Sequence, residues 1–391
     1  MIERKAKNKV LESLRKNPAI AILGPRQVGK TTLAKSIITT IKDKTEYFDL
    51  EKESDFKRIK DSELVLSQLK DSLVVIDEIQ NKPDLFPLMR ALIDEHRIPG
   101  RFLLLGSSSP HLIKQSSQSL AGRISYIELT PVNILEIIER IDRKTHWLRG
   151  GFPNSLLAEN DKDSFEWLDD LVKTYSERDF KALGLNVMPR IIRQFWEMLA
   201  HFHGGIWNAS SFGRALGASY ATVNKYLNFM EGAFLVRILQ PFFINVKKRI
   251  SKAPKVYIRD TGILHYLNNI ADFEQLWGTV LIGASWEGYV VEQIAQYLPN
   301  NVGLYYYRTH HGSEIDLILT KGLRPATCIE IKFTVAPSLT KGNTIALQDI
   351  GTKNNFIIYY GSEEYKQRKD LTVCSLEIFL TKYLPEIIIN E

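Results

Sequence analysis

Cysteine is nearly absent: the 391-residue chain carries two, Cys328 and Cys374, too few and too far apart for a disulfide framework or a zinc site. A reducing, cytoplasmic compartment is the expectation that follows. Long apolar runs are lacking too, and the opening Met1-Ile2-Glu3-Arg4-Lys5-Ala6-Lys7 has charges with no apolar signal core behind them, so no membrane association is expected. Charge of one sign does not dominate. The 51 basic and 45 acidic residues leave +6, which permits nucleic-acid binding without requiring it. There are no internal repeats and no low-complexity tract, which excludes solenoids and disordered arrays. What is plentiful is apolar residue: 44% of the chain is hydrophobic, enough for more than one buried core and two or three domains.

The strongest signal lies at residues 24 to 31, Gly-Pro-Arg-Gln-Val-Gly-Lys-Thr, directly after the apolar run Ala19-Ile20-Ala21-Ile22-Leu23. A strand, a tight glycine-bearing loop and a helix form the context that a phosphate-binding loop requires. The glycines let backbone N–H groups turn inward onto phosphate oxygens, and the following helix offers its N-terminus to the same charge. Gly24, Pro25, Arg26, Gln27, Val28, Gly29, Lys30, Thr31 and Thr32 are the expected nucleotide cradle. Lys30 reaches for the β- and γ-phosphates of ATP, and the Thr31 hydroxyl for Mg²⁺.

A second part of such a site follows in Leu73-Val74-Val75-Ile76-Asp77-Glu78, an apolar run ending in two acids. A strand buried on both faces delivers carboxylates to the end of a parallel sheet in this way. Asp77 is placed to hold the Mg²⁺ shell and Glu78 to orient the attacking water. A third strand, Arg101 to Leu105, ends in Gly106-Ser107-Ser108-Ser109. Ser107 is the candidate sensor of the γ-phosphate, the alternative being a Ser-rich turn that caps the next helix. In Leu120-Ala121-Gly122-Arg123, Arg123 is either an arginine finger for a neighbouring subunit or a solvated surface residue.

The alternation of apolar strands (19–23, 45–50, 73–77, 101–105, 125–129) with helical stretches (30 to about 41, about 84 to 96) predicts an α/β fold with a parallel sheet. Thr130-Pro131 ends it. We divide the chain into a P-loop ATPase core (1–131), a helical lid or linker region (132–206) broken at Gly150-Gly151-Phe152-Pro153, a winged helix-turn-helix (207–260) and a C-terminal α/β domain (261–391). In the third segment Phe212, Ala215 and Leu216 face inward from a first helix. Gly217-Ala218-Ser219 make the turn, and Val223, Tyr226, Leu227 and Met230 form the apolar face of a second. Thr222, Asn224 and Lys225 then point outward for a DNA major groove, with Lys247, Lys248 and Arg249 as a basic wing on phosphates. The competing reading is a module that only packs against its neighbours.

The last segment holds a second constellation. Glu287 lies on the apolar face of a helix from Ala284 to Leu298. Glu314, Asp316 and Ile318 share one face of a strand, and Glu330 and Lys332 one face of the next. Oxygen ligands from Asp316 and Glu330, with Glu287 nearby, suit a hard divalent cation, and Lys332 suits the polarising of a hydroxide. Glu-x-Lys on a strand is also an ordinary exposed cross-strand pair. His310 and His311 are read as loop histidines in solvent, with phosphate contact as the alternative.

Taken with Trp286-Glu287-Gly288, Glu314-Ile315-Asp316 and Glu330-Ile331-Lys332, these motifs resemble the bacterial and archaeal ATPases that join an AAA-type ATP-binding domain to a C-terminal restriction-endonuclease-like, PD-(D/E)xK, domain. The resemblance spans nearly the whole chain and implies ATP binding and hydrolysis, ring or oligomer formation and a nuclease-like domain. The function expected is an oligomeric, DNA-associated ATPase that remodels branched DNA. The alternatives are an ATP-gated metal-dependent nuclease and a regulatory NTPase switch acting through protein partners.

Overall fold

A computed structural model describes residues 2–41, 44–107, 119–243 and 251–389. By contact the chain separates into two compact units, the first comprising 1–132, 178–186 and 228–234 and the second the remainder.

The first unit is built on β1 (Ala19–Gly24), β2 (Thr45–Asp49), β3 (Leu73–Asp77), β4 (Phe102–Ser107) and β5 (Ile124–Glu128), a five-stranded sheet in the order β2-β3-β4-β1-β5. Every pairing in it is parallel. The α/β alternation read from the sequence is thus present, with strand limits within a residue or two of expectation. Every residue of β1 and β3 is buried, as strands covered on both faces must be. Ala19, Ala21, Leu23, Val74 and Ile76 pack on one side against Phe86, Met89 and Ile93 of the helix Leu85–Glu95. Ile20, Ile22, Val75 and Leu105 pack on the other against Val10, Leu33 and Ile37. Two apolar layers of this kind hold the carboxyl ends of β1 and β3 at one sheet edge, where a ligand of an open α/β sheet binds.

The second unit contains a nine-stranded mixed sheet. Its strands are β6 (Gly205–Ile206), β7 (Val236–Pro241), β8 (Lys255–Ile258), β9 (Val302–Arg308), β10 (Glu314–Lys321), β11 (Arg324–Lys332), β12 (Asn355–Tyr359), β13 (Tyr365–Arg368) and β14 (Leu371–Cys374). They run in the order β13-β14-β12-β11-β10-β9-β7-β8-β6. This corrects the division made from sequence. The strands β7 and β8 that fall in 207–260 pair with each other, but β7 also pairs in parallel with β9, so the sheet continues across the expected boundary at 260. An edge that is hydrogen-bonded on both sides cannot bound a separate domain.

Within 207–260 the chain forms two successive helices, Ala209–Leu216 and Tyr220–Gly232. Gly217 closes the first in the left-handed region (φ 62°), which glycine adopts without steric cost, and Ser219 Oγ accepts from Thr222 N at the start of the second. The basic residues Lys247, Lys248 and Arg249 lie outside the described residues. A second correction concerns β10: its register with β9 shifts between Ile315 and Ile318, and both isoleucines enter one core with Tyr307 and Cys328. Ile318 therefore does not share a face with Asp316, because the bulge inserts an extra residue into the alternation.

Candidate functional site: a phosphate-binding loop and a separate acid cluster

Two backbone features shape the loop between β1 and the helix Lys30–Ile41. Gln27 (φ 66°) and Gly29 (φ 97°) both take left-handed conformations, which turns successive N–H groups to one side. At Gly29 a side chain would meet nothing within 4 Å, so the loop wraps open space. Gly24 is different: a methyl there would lie 2.3 Å from the Leu129 carbonyl oxygen, so the first glycine is required by packing against the chain that follows β5.

Lys30 is buried, and its ammonium donates to the Gly24 and Pro25 carbonyls at 3.1 and 2.9 Å. Burial pushes its pKa down to about 8, against the opposing pull of Glu78 and Asp77. A cation hydrogen-bonded to carbonyls of its own loop is one that an anion's oxygens would satisfy better. Thr31 Oγ1 donates to Asp77 Oδ2 at 2.7 Å, joining the two side chains expected to share Mg²⁺. Asp77 Oδ1 accepts from the Glu78 backbone N–H at 3.0 Å. Glu78 itself is left-handed (φ 53°, ψ 47°), and Gln80 Nε2 donates to its carboxylate. The open loop, the carbonyl-bound ammonium and the adjoining hydroxyl–carboxylate pair fit an Mg²⁺–nucleotide.

Three further side chains belong to this site and were not found in the sequence. Tyr47 reaches from β2 to donate its hydroxyl to Asp77 Oδ2 at 2.5 Å, and burial raises its pKa well above the usual phenol range. It escaped notice because strand order is not written in the sequence; in the sheet it pairs with Val75, two residues before Asp77. Gln80 was hidden in a single short helical turn, Ile79–Asn81, after β3. Asp179 was hidden by distance along the chain: Arg26 in the loop binds it at 2.9 Å and binds Glu51 at 3.0 Å.

Ser107 ends β4 in register with Gly24, so its backbone stands at the loop's edge, while its side chain lies outside the described residues. Arg123 stands at the other edge. Its carbonyl accepts from Ala19 N at the start of β1, and its guanidinium forms a two-pronged pair with Asp94 at 2.6 and 2.8 Å. The six residues of β1 separate it from the phosphate-binding loop by about 16 Å of strand rise. Arg123 therefore cannot serve the site of its own subunit.

On the helix Tyr220–Gly232, Lys225 is exposed, whereas Thr222 and Asn224 are half-buried. The Thr222 hydroxyl bonds Ser219 and Asn224 Oδ1 accepts from Trp207 Nε1 at 2.9 Å, so both have local structural partners.

In the second unit the acids of the last constellation come together. Lys332 Nζ donates to Glu330 Oε1 at 2.6 Å, as does Asn343 Nδ2 at 2.9 Å. Asp316 Oδ2 accepts from the Ile331 backbone N–H at 2.9 Å. Glu287 is only half-buried and accepts from Tyr257 Oη at 2.6 Å. At their centre stands a residue that sequence reading missed, Lys255 of β8, with Nζ 3.0 Å from Glu287, 2.8 Å from Glu314 and 3.6 Å from Asp316. Burial alone would depress its ammonium, but Glu287, Tyr257, Asp316 and Glu314 outweigh that and hold its pKa well above the usual lysine value. Asp316 is raised by burial and by Glu330. Among the described residues no group of three or more His, Cys, Asp or Glu side chains stands in an arrangement that could hold a metal ion.

A parallel sheet with a phosphate-binding loop on β1 and an acid pair at the end of β3 is that of an AAA-type P-loop ATPase, and residues 16–138 match the family model described as an AAA domain. Residues 140–274 and 282–379 match two domains of unknown function, DUF8612 and DUF4143. The chain is 40% identical over 367 residues, 93% of its length, to the uncharacterized proteins Rv2008c of Mycobacterium tuberculosis and Mb2031c of Mycobacterium bovis, covering 82% of each. It belongs to the family of these two proteins, and in this chain the AAA domain is joined to the two further domains. It is also similar to the Walker-type ATPase PABY2304 of Pyrococcus abyssi, with 14% identity, a TM-score of 0.48, and coverage of 68% of this chain and 96% of that one. Membership of the P-loop class implies nucleotide binding. No helix among the described residues is long and apolar enough to cross a membrane.

Proposed function

We propose that this chain hydrolyses ATP at the β1 loop with Mg²⁺, works as a homo-oligomer and acts on DNA, with turnover coupled to remodelling of branched DNA. The observation that carries the reading is the Lys30, Thr31, Asp77 and Glu78 arrangement at one sheet edge. Mg²⁺ bound there would be held by Thr31 and Asp77 and would offset charge on the phosphate oxygens. Lys30 exchanges the Gly24 and Pro25 carbonyls for the β- and γ-phosphates, which the depressed pKa of its buried ammonium makes favourable. Backbone N–H groups turned inward at Gln27 and Gly29 bind the same oxygens. Glu78, held by Gln80, orients the attacking water.

The DNA part of the reading is supported by the helix Tyr220–Gly232, which carries exposed Lys225 and is preceded by exposed Arg214. Thr222 and Asn224 already bond within the chain, so phosphate contact, more than base readout, is the task this face supports. The test is binding of the purified chain to single-stranded, duplex and four-way-junction DNA over a range of salt, with and without ATP. The reading requires affinity that falls with salt, and Lys225→Ala should lower the logarithmic salt slope by about 1. ATP hydrolysis that responds to no DNA form, with no salt-dependent binding, would instead support a switch acting through protein partners.

A further inference from the structure

The acid cluster of the second unit poses a question separate from the ATP site: four carboxylates, Glu287, Glu314, Asp316 and Glu330, meet three cations, Lys255, Lys332 and Arg308. The oxygens around the Lys255 ammonium lie 2.8 to 3.6 Å from it. Those are ammonium distances, longer than the roughly 2.0–2.6 Å at which oxygen holds Mg²⁺ or Ca²⁺. The carboxylates are also committed to donors. Glu287 Oε1 is shared by Lys255 and Tyr257, Glu314 Oε2 meets Arg308 at 3.1 Å, and Asp316 Oδ2 takes the Ile331 N–H. Independently of these bonds, Glu330 is 4% exposed and its Oε2 has no hydrogen-bond partner among the described residues. A buried carboxylate oxygen left without a donor marks a pocket whose negative charge is not fully matched.

We propose that Lys255 is the resident cation of this cluster. Its tethered ammonium takes the place between Glu287, Glu314 and Asp316 that a divalent metal would need, so the natural chain binds no divalent ion there and its C-terminal unit performs no metal-dependent phosphodiester cleavage. Lys255 is 4% exposed on a strand inside the sheet, hydrogen-bonded to neighbours on β6 and β7, and does not withdraw without breaking that strand. Removing its charge leaves the surrounding carboxylates and the orphaned Glu330 oxygen uncompensated, which is the condition under which a hard cation enters.

The experiment is titration of the full-length, nucleotide-free chain with Mn²⁺, free ion being counted by electron paramagnetic resonance, in the natural protein, in Lys255→Met and in Lys255→Met/Asp316→Asn. Lys255→Met should hold one extra equivalent of Mn²⁺ at least roughly tenfold more tightly than the natural chain, and the second substitution should abolish it. Circular dichroism and the thermal melt report whether the variants are folded, and Lys255→Gln, which retains a donor toward the same carboxylates, serves where Lys255→Met does not fold. A gain of Mn²⁺ in neither variant overturns the proposal. So does a natural chain that binds Mn²⁺ through Asp316 as tightly as the variant, shows an Asp316-dependent rise in melting temperature with Mn²⁺, or cuts any DNA form with Mg²⁺ or Mn²⁺. Failure of DNA binding or of ATP hydrolysis leaves each of these readouts untouched, so the two readings fall separately.

Discussion

Glu78 sits in a backbone conformation that a non-glycine residue adopts at a cost of about 1–3 kcal/mol, and its neighbours hold it there. Asp77 accepts its N–H and Gln80 binds its carboxylate, so the strain aims an acid at the space in front of the loop instead of letting the chain continue as a strand. The task proposed for it differs from the one proposed for Lys30, and the two separate by substitution. Lys30→Ala removes the buried ammonium that faces the phosphates and should abolish nucleotide binding and turnover, as followed by fluorescent-nucleotide titration. Glu78→Gln keeps the shape and the Gln80 contact but loses the charge that orients water. It should bind nucleotide within about twofold of the natural chain while kcat falls roughly 10²- to 10³-fold. Near-normal turnover in Glu78→Gln would assign the water to another group. The identities of Lys30, Thr31, Asp77 and Glu78 were legible because their pattern is local. Tyr47 and Lys255 were not, because each reaches its acids from a strand far away in sequence whose place in the sheet only the fold reveals.

Glycines and buried titratable groups join the elements of the second unit. Gly288, in the middle of the helix Ile282–Ala295, faces His203: a methyl on it would lie 2.1 Å from His203 Nε2. His203 cannot yield readily, because its Nδ1 accepts from the Ile258 N–H at 3.0 Å, and burial holds its pKa down to about 3. Gly288→Ala should therefore destabilise the chain by about 3 kcal/mol, at the upper end of the overpacking range. In a double-mutant cycle read by denaturant midpoint, Gly288→Ala/His203→Ala should be more stable than the sum of the single losses predicts. The Gly150-Gly151 break has a similar cause. Asp260 takes the Gly151 N–H at 2.8 Å and caps the helix Thr261–Leu267, and a methyl on Gly150 would lie 2.2 Å from its carboxylate. Burial raises the Asp260 pKa to about 6 from an ordinary value of 3.8, against the backbone donors that lower it. A raised folded pKa means that this group's contribution to stability is complete below about 3.8 and is lost as pH rises through about 6. Two units amount to about 3 kcal/mol. Asp260→Asn keeps the helix cap and cannot ionise, so relative to the natural chain it should gain about that much stability between pH 3.5 and pH 7. An unchanged difference across that range would show that folding leaves the Asp260 pKa at its ordinary value. The two glycine motifs were visible in the sequence, but their reasons were not, since each reason is a side chain on a distant element.

At the scale of the whole molecule, the sequence made the first unit legible and blurred the second. Parallel strands buried on both faces announce themselves as apolar runs, and β1, β3 and β4 stood out for that reason. The mixed sheet interleaves early and late strands, with β7 beside β9, and a pairing of Gln240 with Tyr305, 65 residues on, leaves no local trace. Its place at the far edge of the first sheet assigns Arg123 a task only between subunits, if the chain assembles so that one subunit's β5 edge meets another's phosphate-binding loop. Its present partner does not prevent this. The Asp94 pair is exposed, and an exposed pair is readily exchanged for a phosphate that the guanidinium fork fits equally well. Arg123→Ala should then bind ATP as the natural chain does and lose turnover by roughly 10³-fold or more, the range of arginine fingers. Mixing it with Lys30→Ala should restore part of the activity, because an interface between the two variants pairs an intact loop with an intact arginine. Asp94→Asn, which frees the arginine without removing it, should leave turnover intact. Full activity of Arg123→Ala, or of a chain that sedimentation shows to be monomeric throughout turnover, would remove Arg123 from the reaction and leave it as the surface partner of Asp94.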